Sequence, residues 1–340
     1  MESHSDDSVS SSDQFGTRKE PKEPLQIYWN VPSFQCDPFK LDFTTLLNKY
    51  NIIHNEDVRF RGDTITILYD PGDFPALLKK ENGDFFFRNG GVPQEGNLTC
   101  HLEVLEQTIV ELIPNEDYSG LAIIDFESWR PIFRQHWGNI EQYKHVSVDI
   151  EREKYPDWDQ TLLKEEAVRR LEAAAKIFLE ESLILAKKLR PNGKWGYYHY
   201  PYSYTDGSQD SVSQEVQSEN DSLDWLWKAS DAFYPSVYVR NWQSLEYQVK
   251  FIETTLEEVF RVKKKFNNDA GVFVYLTYIY GDSNTFIPKE NMSAILATLA
   301  RYDVDGVILW GASADVCSRD KCNQLYEYID NVFGPSMISI

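Results

Sequence analysis

The chain has 340 residues with 54 acidic and 34 basic side chains, a formal net charge of -20 at neutral pH and a pI near 4.7. A surface of that sign argues against nucleic acid and anionic membrane as partners. The length gives ample core for one large domain or two smaller ones, and no apolar run reaches the roughly eighteen residues that a membrane span needs.

Residues 1–24 are rich in Ser, Asp and Lys without periodicity, which predicts disorder. They lack the basic start and apolar core of a secretory signal, so the expectation is that a leader was removed or that the natural chain has none. From residue 26 onward, short apolar or aromatic runs predict strands over 26–31, 64–69, 121–126, 195–200, 232–239, 271–280 and 306–310. Helical spacing predicts helices near 94–112, 159–189, 244–265, 289–301 and 318–332. The longest repeats Leu163, Ala167, Leu171, Ala174, Phe178 and Leu185 at helical spacing. Glu165 and Glu166 lie near its start and Lys187, Lys188 and Arg190 at its end, the order that the helix dipole favours, and Pro191 follows. Strands alternating with helices predict an α/β fold: a distorted (β/α) TIM-like barrel of seven or eight parallel strands. No linker divides it, so residues 25–340 are expected to form a single domain.

A barrel gathers its functional side chains at the C-terminal ends of the strands. Asp125 and Glu127 close the apolar run in GLAIIDFESWR, residues 120–130. Side chains two apart on a strand share a face, so the carboxyls should lie side by side and should not both ionise freely. One then holds its proton as a donor while its neighbour stays anionic. A solvated strand end, or half of a calcium or magnesium site, is the alternative, although no Asp/Asn/Gly loop of calcium-binding spacing accompanies the pair. Asp70, Tyr198, Tyr200, Tyr238 and Trp310 fall at other predicted strand ends. Any one of these rings could be plain core. Together with two carboxyls they indicate a groove where rings stack on sugar C–H faces and a glycosidic bond is hydrolysed, with no metal or cofactor.

Three glycosylation sequons start at Asn97, Asn220 and Asn291. Four cysteines, Cys36, Cys100, Cys317 and Cys322, permit three pairings into disulfides, and their spacing does not suggest zinc.

Several strings carry a family resemblance. IDFESWRPIFR (124–134) resembles the active-site strand of the hyaluronidases of glycoside hydrolase family 56, especially those of insect venom and saliva. The likeness continues through YWNVPSFQC (28–36), ILYDPG (67–72), RNGGVPQ (88–94), WGYYHYPY (195–202), YPSVY (234–238) and DGVILWG (305–311). It implies hyaluronan or a related glycosaminoglycan such as chondroitin as partner, a secreted monomer, and a retaining, substrate-assisted mechanism. Glu127 would be the acid and then the base; Asp125 would stay ionised, orient the acetamido group, stabilise the intermediate and raise the pKa of Glu127. Tyr238 would hold the acetamido oxygen, Tyr198 and Trp310 would line its pocket, and Tyr200 and Ser313 would add substrate contacts. Asp70 and Arg130 match the surrounding shell, with Arg130 equally readable as a structural ion-pair partner. The resemblance also implies a Cys36–Cys322 disulfide, leaving Cys100 and Cys317 as additional thiols.

Departures from the family concern the substrate. Ser203 stands where a cysteine is usual, which removes a second disulfide and predicts a more mobile loop over 204–219. Thr255 aligns with an arginine that faces the substrate carboxylate; Thr277 and Ala312 are further changes. A polyanionic substrate must then be met by Arg88, Arg130, Arg134 and Arg240. These changes leave a second reading open: a hyaluronidase-like secreted glycan binder, or allergen, without useful turnover.

Overall fold

The computed structural model describes residues 24–339. The segment expected to be disordered lies, but for Pro24, outside the described residues. Nine strands are formed: β1 (Ile27–Asn30), β2 (Ile65–Tyr69), β3 (Ala76–Lys79), β4 (Phe85–Arg88), β5 (Leu121–Asp125), β6 (Lys194–Tyr197), β7 (Ala232–Phe233), β8 (Gly271–Thr277) and β9 (Gly306–Trp310). The helices are α1 (Phe43–Lys49), α2 (Leu98–Leu112), α3 (Gln142–Lys154), α4 (Gln160–Leu189), α5 (Gln214–Ser222), α6 (Asp224–Ala229), α7 (Leu245–Phe266), α8 (Lys289–Arg301), α9 (Arg319–Tyr328) and α10 (Gly334–Ile338).

Two parallel sheets, β1-β9-β8-β7 and β2-β5-β6, make the barrel. A parallel bridge from Tyr198 to Tyr234 joins β6 to β7. On the other seam Ile53 pairs with Tyr28 beside β1, and the Asn55 side chain accepts from the Thr64 and Ile65 amides and donates to the Ile65 carbonyl, so one amide group fastens β2. Seven parallel strands plus the single-residue bridge at Ile53 give the expected distorted barrel. Pro235 shortens β7: it has no N–H to continue the ladder, and pairing resumes only at Ser236 opposite Tyr275.

Period-two alternation fills the barrel interior with Ile65 and Ile67, Leu121 and Ile123, Ala232 and Tyr234, Phe273 and Tyr275, and Ile308. The helices cover the opposite strand faces through a second, larger cluster. Gly196 in β6 is required by closeness: a Cβ there would lie 2.1 Å from the Ala232 carbonyl oxygen. Helix α4 starts at the Asp159 cap, which accepts from the Thr161 and Leu162 amides, and buries Leu163, Ala167, Leu171, Ala175 and Phe178.

Three features depart from the sequence expectation. The antiparallel hairpin β3–β4 was not foreseen, nor was α3, whose buried face includes Ser147 and Glu151 rather than an unbroken apolar stripe. The segment expected to be a loop, residues 204–219, leads into α5, and Arg134 (2.7 Å to Glu219) and the Gln243 amide (2.7 Å to the Asp206 carbonyl) tie it down. Among the described residues no helix is long and apolar enough to cross a membrane.

Candidate active site

The inward series of β5 is Leu121, Ile123, Asp125, so Asp125 is the last barrel-facing residue of its strand, and Glu127 follows it into the loop beyond. The same register on the other strands delivers Tyr69 from β2, Tyr198 after β6, Tyr238 after β7, Thr277 from β8 and Trp310 from β9 to the same mouth. Trp310 Nε1 donates to the Tyr69 hydroxyl at 2.9 Å, and its ring stacks on Tyr238 with centroids 6.1 Å apart. Tyr198 lies 6.5 Å from Tyr238, and burial pushes both phenols up. These rings form a continuous wall around the acids.

The loop carrying Glu127 is held from several directions. Phe126 stacks on Phe74 at 4.1 Å, and Trp129 Nε1 donates to the Pro75 carbonyl at 2.8 Å. Arg130 donates to the Glu127 carbonyl at 2.8 Å, lies 3.7 Å from its carboxylate and sits over the Tyr202 ring. The Arg130 amide in turn meets His136 Nε2. Burial depresses His136 to about 4, so the neutral imidazole accepts that amide while Nδ1 donates to the Phe133 carbonyl.

The two acids differ in environment. The Glu127 side chain is 52 % exposed, whereas Asp125 lies deeper against the barrel interior. Burial, then the charge of Glu127 and a hydrogen bond with it, pushes Asp125 up to about 7. The deeper group is the costlier one to charge.

Other expected residues are placed as follows. Asp70 is exposed at the rim, where Arg88 from β4 grips it through two bonds of 2.6 and 2.8 Å. Tyr200 is corrected as a substrate contact: it is 4 % exposed and packs on Tyr202 and Trp227 behind the pair. Ser313 is exposed beyond β9 and accepts from the Gln35 amide at 3.2 Å. Cys36 and Cys322 are joined in a disulfide, and Cys100 and Cys317 are free and exposed. Asn97 is exposed at the start of α2, and Asn291 donates to Gln248 at 3.0 Å from the start of α8. Asn220 is corrected as a glycan carrier: it is 1 % exposed, and its amide nitrogen is spent on the Tyr202 carbonyl and Glu258.

Thr255 is 2 % exposed and hydrogen-bonded to Ser203 at 3.0 Å, so it faces the packed interior rather than a substrate. Of the cations expected to meet a polyanion, Arg88, Arg130 and Arg134 are paired with Asp70, Glu127 and Glu219, which leaves Arg240. The sequence reading passed over Tyr69, Phe60 and Arg61. Tyr69 was signalled by the β2 alternation Ile65, Ile67, Tyr69; Phe60 and Arg61 lie in a loop and stack against it only in three dimensions.

Residues 17–340 match a family model described as Hyaluronidase, glycoside hydrolase family 56. The chain is 42 % identical over 319 residues to a hyaluronidase of Apis mellifera, covering 92 % of this chain and 83 % of that one. It is 36 % identical over 320 residues to the inactive hyaluronidase B of Vespula vulgaris, covering 93 % of this chain and 94 % of the relative. The crystal structure of bee venom hyaluronidase in complex with a hyaluronic acid tetramer superposes with a TM-score of 0.89 at 40 % identity, over 92 % of this chain and 98 % of that one. An acid pair inside an aromatic barrel mouth, on a sequence with these matches throughout its length, makes this chain a member of the hyaluronidase family of glycoside hydrolases.

Proposed function

We propose that the protein hydrolyses internal β-1,4 N-acetylhexosaminide bonds of hyaluronan, with chondroitin as a secondary substrate, by a retaining, substrate-assisted mechanism. The observation that carries the reading is the placing of the Asp125 and Glu127 carboxyls side by side beneath a wall of Tyr69, Tyr198, Tyr238 and Trp310. When a sugar enters, its acetamido N–H donates a hydrogen bond to the Asp125 carboxylate, and Glu127 carries the proton of the pair. Glu127 gives that proton to the leaving glycosidic oxygen as the acetamido carbonyl oxygen closes on the anomeric carbon. The anionic Asp125 stabilises the positive ring so formed. Glu127, now a carboxylate, takes a proton from the water that reopens the ring with retention. Tyr238 holds the acetamido oxygen, and Tyr198 and Trp310 enclose its methyl group. Asp70 fixes the rim through Arg88, and Arg130 fixes Glu127.

Residues 25–340 act as one catalytic domain of a secreted monomer, with Asn97 and Asn291 as its glycan carriers. Ser313 lies where a longer chain of sugars would pass. The relation to an inactive relative, with Thr255 turned inward, supports a second reading as a glycan binder without turnover. Incubation of hyaluronan with the protein and with Glu127→Gln between pH 4 and 7 separates the two. Oligosaccharides ending in N-acetylglucosamine, absent with the variant, are expected. Intact polymer that is still bound would favour the binder.

A further inference from the structure

We infer that the cavity beside Phe60 and Arg61 is a distal sugar subsite that takes a uronate-bearing ring, with Arg61 as the partner of the carboxylate. The inference rests on the glycosaminoglycan reading and adds to it the cation that meets the substrate's charge.

The cavity measures about 660 Å³ and is lined by Phe34, Phe43, Arg59, Phe60 and Arg61, among others. That volume falls within the range of about 300–1,000 Å³ usual for small-molecule sites. Two of its residues, Phe60 and Arg61, pack against Tyr69 of the aromatic wall of the mouth. Phe60 stacks on Tyr69 with centroids 6.0 Å apart, and the Arg61 guanidinium lies 5.4 Å from the Tyr69 ring and 5.5 Å from Phe60. Phe34, whose neighbour Gln35 donates to Ser313 beyond β9, brings a ring that is 42 % exposed. A chain of sugars leaving the Trp310–Tyr69 wall therefore meets two further rings of the kind that stack on sugar faces.

Arg61 is the cation at this mouth that the protein leaves uncompensated. Its Nε donates to the Ile67 carbonyl at 2.6 Å, and among the described residues no carboxylate lies within ion-pair distance. A guanidinium carries five donors in a fork that matches a carboxylate, so most of them remain for a ligand. The acids of the same cavity are otherwise engaged or displaced. Asp57 lies 3.4 Å from Arg59, and Asp42 accepts from the Thr45 amide and hydroxyl at 2.9 and 2.5 Å. Asp37 also lines the cavity and disfavours a carboxylate seated beside it, which orients the ligand. Arg88, Arg130 and Arg134 are already paired and Thr255 offers no charge, which leaves Arg240 and Arg61, and Arg61 is the one that lies against Tyr69 of the aromatic wall.

The test is equilibrium binding of a hyaluronan octasaccharide and of its carboxyl-reduced counterpart to Glu127→Gln protein, alone and combined with Arg61→Met, Arg61→Lys or Phe34→Ala. Arg61→Met is expected to weaken the uronate ligand about ten-fold while the reduced ligand stays within about two-fold, and Arg61→Lys to restore part of the difference. Phe34→Ala is expected to weaken both ligands alike. Equal weakening of both ligands by Arg61→Met, or no weakening of either, would overturn the subsite and leave Arg61 as a packing residue between two rings. Turnover by the unaltered enzyme is scored separately. Discrimination without turnover removes the hydrolase and keeps the subsite; turnover with unchanged discrimination does the reverse; binding of neither ligand overturns both.

Discussion

The two sides of the barrel mouth meet their charges differently. From β4 to α5, Arg88, Arg130 and Arg134 are all held by carboxylates of the chain itself, at Asp70, Glu127 and Glu219. From β1 to β2 and β9, Arg61 lies against two rings with only a backbone carbonyl bound. A self-neutralised side suits a pair of acids that must keep a fixed geometry. A side with spare donors suits a charged ligand. If bond cleavage and anion recognition are separated in this way, variants of the first side should act on kcat and those of the second on KM.

The largest break comes from Glu127→Gln, which keeps the shape of the side chain and removes the transferable proton. Its kcat is expected to fall about 10³-fold, within the range ascribed to general acid–base catalysis, with KM for hyaluronan nearly unchanged. A parallel rise in KM would show that Glu127 also belongs to the binding side.

Asp125→Asn is expected to lower kcat about 10²-fold, because the amide cannot become the anion that stabilises the intermediate. It also tests the proton assignment. Asp125 is raised from an ordinary 3.8 to about 7 in the folded protein. The folded state therefore binds a proton that the unfolded chain has lost between those values. The resulting stability is complete below about pH 4 and disappears as pH rises through about 7. The melting temperature of Asp125→Asn relative to the unaltered protein should accordingly be higher at pH 8 than at pH 4. The basic limb of kcat/KM in the unaltered enzyme should fall near pH 7, where the pair loses its last proton. A stability difference that does not vary with pH would remove the proton from Asp125.

The disulfide sharpens the comparison at its second side. Cys36 follows β1 and Cys322 lies in α9, at a sequence separation of 286, so the bond fastens the edge that bears Phe34 and Ser313. Its removal in Cys36→Ala/Cys322→Ala is expected to cost roughly 2–5 kcal/mol of stability. Below the melting transition, KM should rise more than kcat falls. An unchanged KM would detach that edge from substrate binding.

How far the sequence revealed this arrangement depended on the range of the signal. Alternation in β2, β5 and β9 carried the barrel and the inward direction of Asp125 and Trp310, because a strand's two-residue period is local. The Asn82-Gly83 pair between the apolar runs 76–78 and 85–87 is the local signal of the β3–β4 hairpin. Helix α3 was hidden by Glu151, a fully buried acid whose partner Arg170 lies on α4 and restores the balance only after folding. The same reason conceals the site's electrostatics. That Asp125 is raised follows from its depth, and that Arg88 and Arg134 are neutralised follows from partners 18 and 85 residues away in the chain. Thr255 aligned with a substrate-facing position because alignment preserves place in the chain; a short β-branched side chain cannot span what an arginine spans, and it closes on Ser203 instead.

The smallest and most discriminating change is Trp310→Phe. It keeps an aromatic ring over Tyr238 and removes the Nε1 donor that fixes the Tyr69 hydroxyl at 2.9 Å. Tyr69 is the hinge of the comparison, since one of its neighbours is the wall above the acids and the other is the Phe60–Arg61 pair. Loss of one hydrogen bond at a partly exposed ring is expected to raise KM about five-fold and leave kcat within about two-fold. Tyr69→Phe should produce a similar change, and the double variant should be no worse than either, because both remove the same bond. If kcat instead falls as far as in Asp125→Asn, Tyr69 positions the acids, and the two sides of the mouth are one mechanical unit rather than two.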